Sequence, residues 1–264
     1  MSVATLPRRR LADDLRTAIE RGEIELRFQP QVTLADDRIT GVEVLARWRH
    51  GKLGELGAAK LFAAAARASL LPALSQHIHA TALAEVAHWP AALGDLTVAI
   101  NVSAGDLARP GFAHDWLARA AALDVDPARL TVEVTEHELI ADLPAAAGLL
   151  ATLRAAGVAV ALDDFGSGYS SIAYLKALPL DYLKIDGGLA ADLLGPPRDQ
   201  IVVRHVVAMA RELGLGVIGE GIETEVHRAL LADAGATHYQ GFLCAEPLDS
   251  AELVRLMEDR RCAH

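Results

Sequence analysis

Apolar residues recur along this chain in two alternating patterns. Short apolar runs read as strands at residues 24–32 (IELRFQPQV), 39–48 (ITGVEVLARW), 96–103 (LTVAINVS) and 130–136 (LTVEVTE). Four more follow at 158–164 (VAVALDD), 182–186 (YLKID), 215–221 (LGVIGEG) and 237–243 (THYQGFL). Between most of them lie Ala/Leu-rich segments of helical period, at 71–89, 145–157, 199–214 and 225–235. A first helix is predicted over 11–23, where Leu11, Leu15 and Ile19 recur every four residues. Gly157, Gly214 and Gly235 stand where helices should end, as C-caps. About eight strands alternating with helices predict an α/β fold of the TIM-like (βα)8 barrel type. A doubly wound open sheet is the competing topology. No low-complexity linker, internal repeat or break in composition divides the chain. One domain is expected over 11–258, with an N-terminal tail at 1–10 and a C-terminal tail at 259–264.

Polar groups gather where these apolar runs stop. Glu43 and Arg47 lie in the second strand, Asn101 and Ser103 end the third, and Glu133 and Glu136 end the fourth. Asp163 and Asp164 stand side by side at the end of the fifth, Lys184 and Asp186 close the sixth, and Glu220 and Glu223 close the seventh. Gln240 sits in the last strand. In a barrel, those ends converge on one mouth, where active sites are built. Any one of these residues could be an ordinary turn residue, but seven strand ends with the same habit fit that reading poorly. Five or more carboxylates around one mouth repel one another by several kcal/mol unless cations neutralise them. Oxygen and amide donors without cysteine favour Mg²⁺ or Mn²⁺ over zinc.

Composition narrows the setting. The 264 residues are 52% hydrophobic and only 5% aromatic, so the core must be built from Ala, Val, Leu and Ile. A formal net charge of -10 argues against a nucleic-acid polymer as partner, since that needs basic stripes. It leaves room for an anionic small substrate, because bound metals reverse the sign locally. Two cysteines without CxxC spacing suit a reducing cytoplasm and offer no zinc cluster. No apolar run approaches a membrane span of about 18 residues, and the arginine-containing start lacks the apolar core of a signal peptide. A soluble, cytoplasmic protein is expected.

Ten histidines are the rival ligands, but only His137 stands at a strand end in acidic company. His77 and His79 lie in a helical segment without HExxH spacing and read as surface or boundary residues. The run GSGYSS, 166–171, lacks the lysine and helix context of a phosphate loop.

Taken in order, the segments EVLAR, NVS, VEVTE, LDDFGSGYSS, LKID, GEGIET and QGFLCAEPL resemble the successive motifs of the EAL domain family of bacterial cyclic-di-GMP phosphodiesterases. The resemblance runs from about Leu11 to Leu256, and the name motif reads Glu43-Val44-Leu45 here. It implies a modified (βα)8 barrel that hydrolyses one phosphodiester of cyclic di-GMP to linear pGpG with two Mg²⁺ or Mn²⁺ ions. By position it makes Glu43, Asn101, Glu133, Asp163, Asp164 and Glu220 metal ligands. Lys184 matches a lysine that orients or activates the attacking water, and Glu223 a carboxylate that supports the metal-water site. Glu136 matches a glutamate that anchors the loop at 165–171, and Gln29, Leu45, Arg47 and Gln240 match nucleotide contacts. The resemblance also suggests a homodimer.

On this reading two cations about 4 Å apart need a bridging carboxylate with separate ligands on either side. Asp163 is assigned as the bridge and Asp164 as a ligand of the second cation only. Neighbours on a strand face opposite ways, but at a frayed strand end both can turn toward the mouth. Glu133 is expected to point inward between the helix-facing Val132 and Val134, with Glu136 beyond the strand. The chain departs from the common family pattern at Ala66-Arg67, Gly105-Asp106, Gly187-Gly188-Leu189 and Glu246. None of these removes an implied metal ligand. Two other functions remain open: a receptor that binds cyclic di-GMP without cleaving it, and a Mg²⁺ barrel enzyme using Lys184 as a base on a carboxylate substrate.

Overall fold

The computed structural model describes residues 8–136, 142–167 and 172–262. His137, residues 168–171 of the expected loop, and the tail residues 1–7 and 263–264 lie outside the described residues. The strands are β1 Ile24–Thr33, β2 Ile39–His50, β3 Gly54–Leu56, β4 Thr97–Asn101, β5 Leu130–Thr135, β6 Ala159–Phe165, β7 Tyr182–Ile185, β8 Gly216–Gly219 and β9 His238–Gln240. They form one sheet in the order β1-β9-β8-β7-β6-β5-β4-β2-β3, and β1 also pairs with β2. Eight strands therefore close on themselves and β3 hangs from β2 as a hairpin. The closed ring is the expected barrel and excludes the doubly wound sheet.

The barrel is modified at its first strand. β1 runs antiparallel to both β2 and β9, whereas the ladders from β2 through β4 to β9 are parallel. The cause is local: β1 and β2 are joined by a short turn, and only antiparallel strands can be joined so briefly. The β2–β3 hairpin was not expected from the sequence, because its outer strand is three residues long and carries little apolar pattern.

The expected helices form within a few residues of their predicted ends: Leu71–Ala87, Leu143–Ala155, Pro197–Glu212 and Glu225–Ala234. Gly157, Gly214 and Gly235 take positive φ just beyond three of them, as C-caps do. The first helix starts at Arg8 and the last spans Ser250–Cys262, so helix continues into both segments read as tails. Among the described residues no helix is long and apolar enough to cross a membrane.

Alternation along the strands sorts the side chains. Val98, Ile100, Val132, Val134, Val160, Leu162, Leu183 and Ile185 are fully buried and join the layer of helices in one hydrophobic cluster. The intervening positions, Ala99, Asn101, Thr131, Glu133, Ala161, Asp163 and Lys184, are small or polar and face the barrel interior. The core proper is therefore the shell between strands and helices, and the interior is free to carry charge.

The adjacent aspartates do not sit at a frayed end. β6 continues to Phe165, which pairs with Ile185, while Leu162 pairs with Leu183. Two residues of β6, Asp163 and Asp164, thus oppose the single residue Lys184 of β7, which is a β-bulge. Asp164 takes the left-handed conformation with φ 57°, which Asp tolerates better than most residues. The bulge breaks the two-residue alternation, so neighbouring carboxylates can serve one site. Gly166 follows at φ 106°, and a Cβ there would stand 2.5 Å from a Leu189 methyl. The glycine and the unusual Leu189 are thus packed against each other.

Candidate metal centre

Each strand delivers its polar group to the mouth through its register. Glu43 lies opposite Gln29 across the β1–β2 ladder, and Leu45 opposite Arg27. Asn101 lies beside Glu133 across β4–β5, and Asp163 beside Thr135 across β5–β6. Lys184 lies beside Ile218 across β7–β8, and Glu220 follows β8 directly.

Lys184 stands at the centre. It is fully buried, and its Nζ lies 2.8 Å from Glu220 Oε1, 3.0 Å from Glu133 Oε2, 3.0 Å from Asp163 Oδ1 and 3.2 Å from Glu43 Oε2. Amides complete the cage. Asn101 Nδ2 donates to Glu43 Oε1 at 3.0 Å, and Gln240 Nε2 donates to Glu43 Oε2 at 2.6 Å and to Gln29 Oε1 at 3.0 Å. Gln31 Nε2 donates to Gln240 Oε1 at 3.1 Å. Asp163 Oδ1 also accepts from the main-chain N–H of Asp164 at 2.9 Å.

Burial and charge compete here, and their balance differs by residue. Burial pushes the Glu133 carboxyl well above the usual carboxylate range; Lys184 offsets this only in part, and Glu43 and Asp163 add to it. Burial likewise pushes Glu220 up to about 8 against the pull of Lys184. Asp164 is raised by burial and then by Asp163. Burial also works on Glu43, but Lys184 and the donors Gln240 and Asn101 outweigh it and hold its pKa below the ordinary value. For Lys184 burial opposes the charge, yet Asp163, Glu133, Glu220 and Glu43 together raise its pKa well above that of a free lysine. A lysine held cationic is a poor base, which weighs against the reading that has it remove a proton from a substrate.

Two triads of carboxylates could each hold a cation: Glu43, Glu133 and Asp163, and Asp163, Asp164 and Glu220, with their oxygens within 4.8 Å of one another. Asp163 belongs to both. The all-oxygen donor set suits a hard divalent cation. Asn101 fits the same role, since its amide nitrogen is committed to Glu43 and its oxygen remains available.

The other residues singled out in the sequence are placed differently. Glu223 is exposed, and no hydrogen bond or ion pair among the described residues ties it to the cage. Glu136 is buried just past β5, outside both triads. Leu45 and Arg47 follow Glu43 at two-residue spacing along β2, on its face, and are partly buried; Arg47 donates to the Ala46 carbonyl at 3.0 Å. Glu246 is exposed. Sequence reasoning missed Gln31, although it lies two residues from Gln29 on a strand and so shares its face. It also misplaced His79, which is 4% exposed rather than at the surface. Its helix turns it inward, and it finds a main-chain partner there, the Asn101 carbonyl.

A family model described as the EAL domain matches residues 12–247. A cyclic di-GMP phosphodiesterase of Pseudomonas aeruginosa is 39% identical over 221 residues, covering 84% of this chain and 38% of that protein. The bifunctional diguanylate cyclase/cyclic di-GMP phosphodiesterase MucR of the same organism is 34% identical over 245 residues, 92% of this chain and 36% of its own length. The chain thus spans well under half of these relatives. Among solved structures, the MucR phosphodiesterase in complex with c-di-GMP matches with a TM-score of 0.84 at 33% identity, covering 92% of this chain and 99% of that one. An EAL enzyme bound to cAMP and cyclic-di-GMP matches with a TM-score of 0.88 at 27% identity, covering 95% and 69%.

Proposed function

The chain belongs to the EAL domain family, and from that premise we propose that its barrel mouth hydrolyses cyclic di-GMP to linear 5′-pGpG. Water adds to one phosphorus and the P–O3′ bond breaks, which leaves a 5′-phosphate and a free 3′-hydroxyl. The observation that carries this reading is the sharing of Asp163 between two carboxylate triads around one buried lysine. Glu43, Asn101 and Glu133 would hold one Mg²⁺ or Mn²⁺ ion, Asp164 and Glu220 the other, with Asp163 between them. Bound there, the ions would neutralise the phosphate and lower the pKa of a coordinated water, so no serine or cysteine nucleophile is required.

The chain's own residues supply the rest. Lys184 keeps its proton and can therefore donate, which suits orienting the attacking water and countering charge at the phosphate. Gln29, Leu45, Arg47 and Gln240 would contact the nucleotide. Glu136 would anchor the loop after Asp164, and Glu223, exposed three residues past Glu220, would support the water site from outside the cage. The catalytic unit would be a single domain over about residues 11–258.

Incubating the purified protein with cyclic di-GMP and Mg²⁺ or Mn²⁺ tests the reading. Chromatography should show 5′-pGpG accumulating without further breakdown, and a chelator should stop it. Folded protein that binds the dinucleotide yet never turns it over with either metal would be a receptor instead.

Metal uptake should also depend on pH in a definite direction. Burial favours the protonated forms of Glu220 and Glu133, so a cation must compete with protons there. Below pH of about 8 the Glu220 proton competes, so apparent Mn²⁺ affinity should rise with pH from 6 to 8, by up to about tenfold per unit for each proton released. Calorimetric titrations in buffers of different ionisation enthalpy would count those protons. An affinity flat across that range would mean that neither carboxyl is a ligand.

A further inference from the structure

The residue pair Gly105-Asp106 is one of the four places where this chain leaves the common family pattern, and the fold gives Asp106 a partner set. Asp106 is 6% exposed. Its Oδ2 accepts from Ser103 Oγ at 2.6 Å, from the Ser103 main-chain N–H at 3.1 Å and from Ser75 Oγ. Ser75 is itself buried, one turn before His79 on the helix Leu71–Ala87. The His79 ring rests against Phe112 with centroids 5.8 Å apart, and its Nε2 lies 2.9 Å from the Asn101 carbonyl oxygen. A carbonyl only accepts, so Nε2 carries the proton. Two buried polar side chains therefore grip the backbone on either side of Val102, and Ser75 braces one of them. His79 holds Asn101 from the helix, while Asp106 holds Ser103 and is tied back to that same helix through Ser75.

Apolar residues would fill a strand–helix interface at lower cost, since each buried polar group must find a partner. What this network adds is direction. Asn101 commits its amide nitrogen to Glu43 at 3.0 Å, so where its Oδ1 points depends on where its main chain is held. We propose that Ser75, His79 and Asp106 form a clamp that sets the main chain of Asn101 and thereby presents its side-chain oxygen to the cation site. They are positioning residues and touch neither cation nor substrate. The inference rests on the proposed role of Asn101 as a cation ligand.

Mn²⁺ binding without substrate, followed by calorimetry, tests the clamp in four variants, with hydrogen exchange over residues 101–107 beside it. Loss of a partner behind a ligand typically costs about 10–100-fold in metal affinity. His79→Leu and Asp106→Asn should each weaken Mn²⁺ binding within that range and speed exchange over 101–107. His79→Gln can still donate to the carbonyl and should recover most of the affinity. Asn101→Ala should lose affinity without speeding exchange. Wild-type Mn²⁺ affinity in folded His79→Leu and Asp106→Asn, alongside a weakened Asn101→Ala, would overturn the clamp alone. Unchanged affinity in Asn101→Ala would overturn the ligand role of Asn101, and the clamp with it. Should His79→Leu fail to fold, Asp106→Asn decides the matter by itself.

Discussion

Replacing Asp163 by Asn is expected to lower turnover of cyclic di-GMP about a thousandfold or more while leaving the barrel folded. Asn has nearly the same shape, so β6 and its bulge should persist. What is lost is the charge at the one carboxylate common to both triads. Asp163 Oδ1 already takes two donors, Lys184 Nζ and the Asp164 N–H, and a neutral amide satisfies them poorly. Charge stabilisation by metals at a reacting phosphate is worth several kcal/mol, and each 1.36 kcal/mol corresponds to about tenfold in rate. Rates measured across a Mg²⁺ titration check the outcome. Full recovery of the Asp163→Asn rate in excess Mg²⁺ would show that the residue does not bridge.

Lys184→Met should have the largest effect on stability. Among the described residues, Lys184 is the one cation within 4 Å of Glu43, Glu133, Asp163 and Glu220. Removing one partner of a buried ion pair typically costs about 3–5 kcal/mol, because the remaining charges lose their compensation. With each kcal/mol worth about 2–4 °C in a domain of this size, Tm in chelator should fall by about 10 °C. Divalent cations can replace the lost charge, so Mn²⁺ should raise the Tm of the variant more than that of the wild type. Turnover should stay low even where stability returns, because the orienting donor is gone. Calorimetry with and without Mn²⁺ reads this directly. An unchanged Tm in chelator would mean that the carboxylates hold themselves together by protonation alone.

These two variants act on features the sequence displayed unequally. The barrel was legible because two independent signals agreed: the alternation of apolar runs with helical segments, and polar groups gathered at the same end of the runs. Asn101, Glu133 and Lys184 can be placed at one mouth by that argument alone. The antiparallel first strand was not legible, since apolar periodicity carries no direction. The bulge at Asp163–Asp164 was hidden for a related reason: two charges in a row look like a strand end, and only the pairing of Phe165 with Ile185 shows the strand continuing. Gln31 was within reach of the two-residue rule applied from Gln29. His79 was not, because a histidine's partner on a neighbouring strand is fixed by helix rotation and packing, which spacing within one helix does not report.

The proposed hydrolysis requires two cation sites that share Asp163, and the direct test is to count them. Crystals soaked in Mn²⁺, with diffraction collected at the manganese absorption edge, locate the ions independently of the protein atoms. Two anomalous peaks about 4 Å apart are expected, one among Glu43, Glu133 and Asp163 and the other among Asp163, Asp164 and Glu220. A single peak, or peaks out of reach of Asp163, would contradict the two-cation site on which the proposed hydrolysis depends.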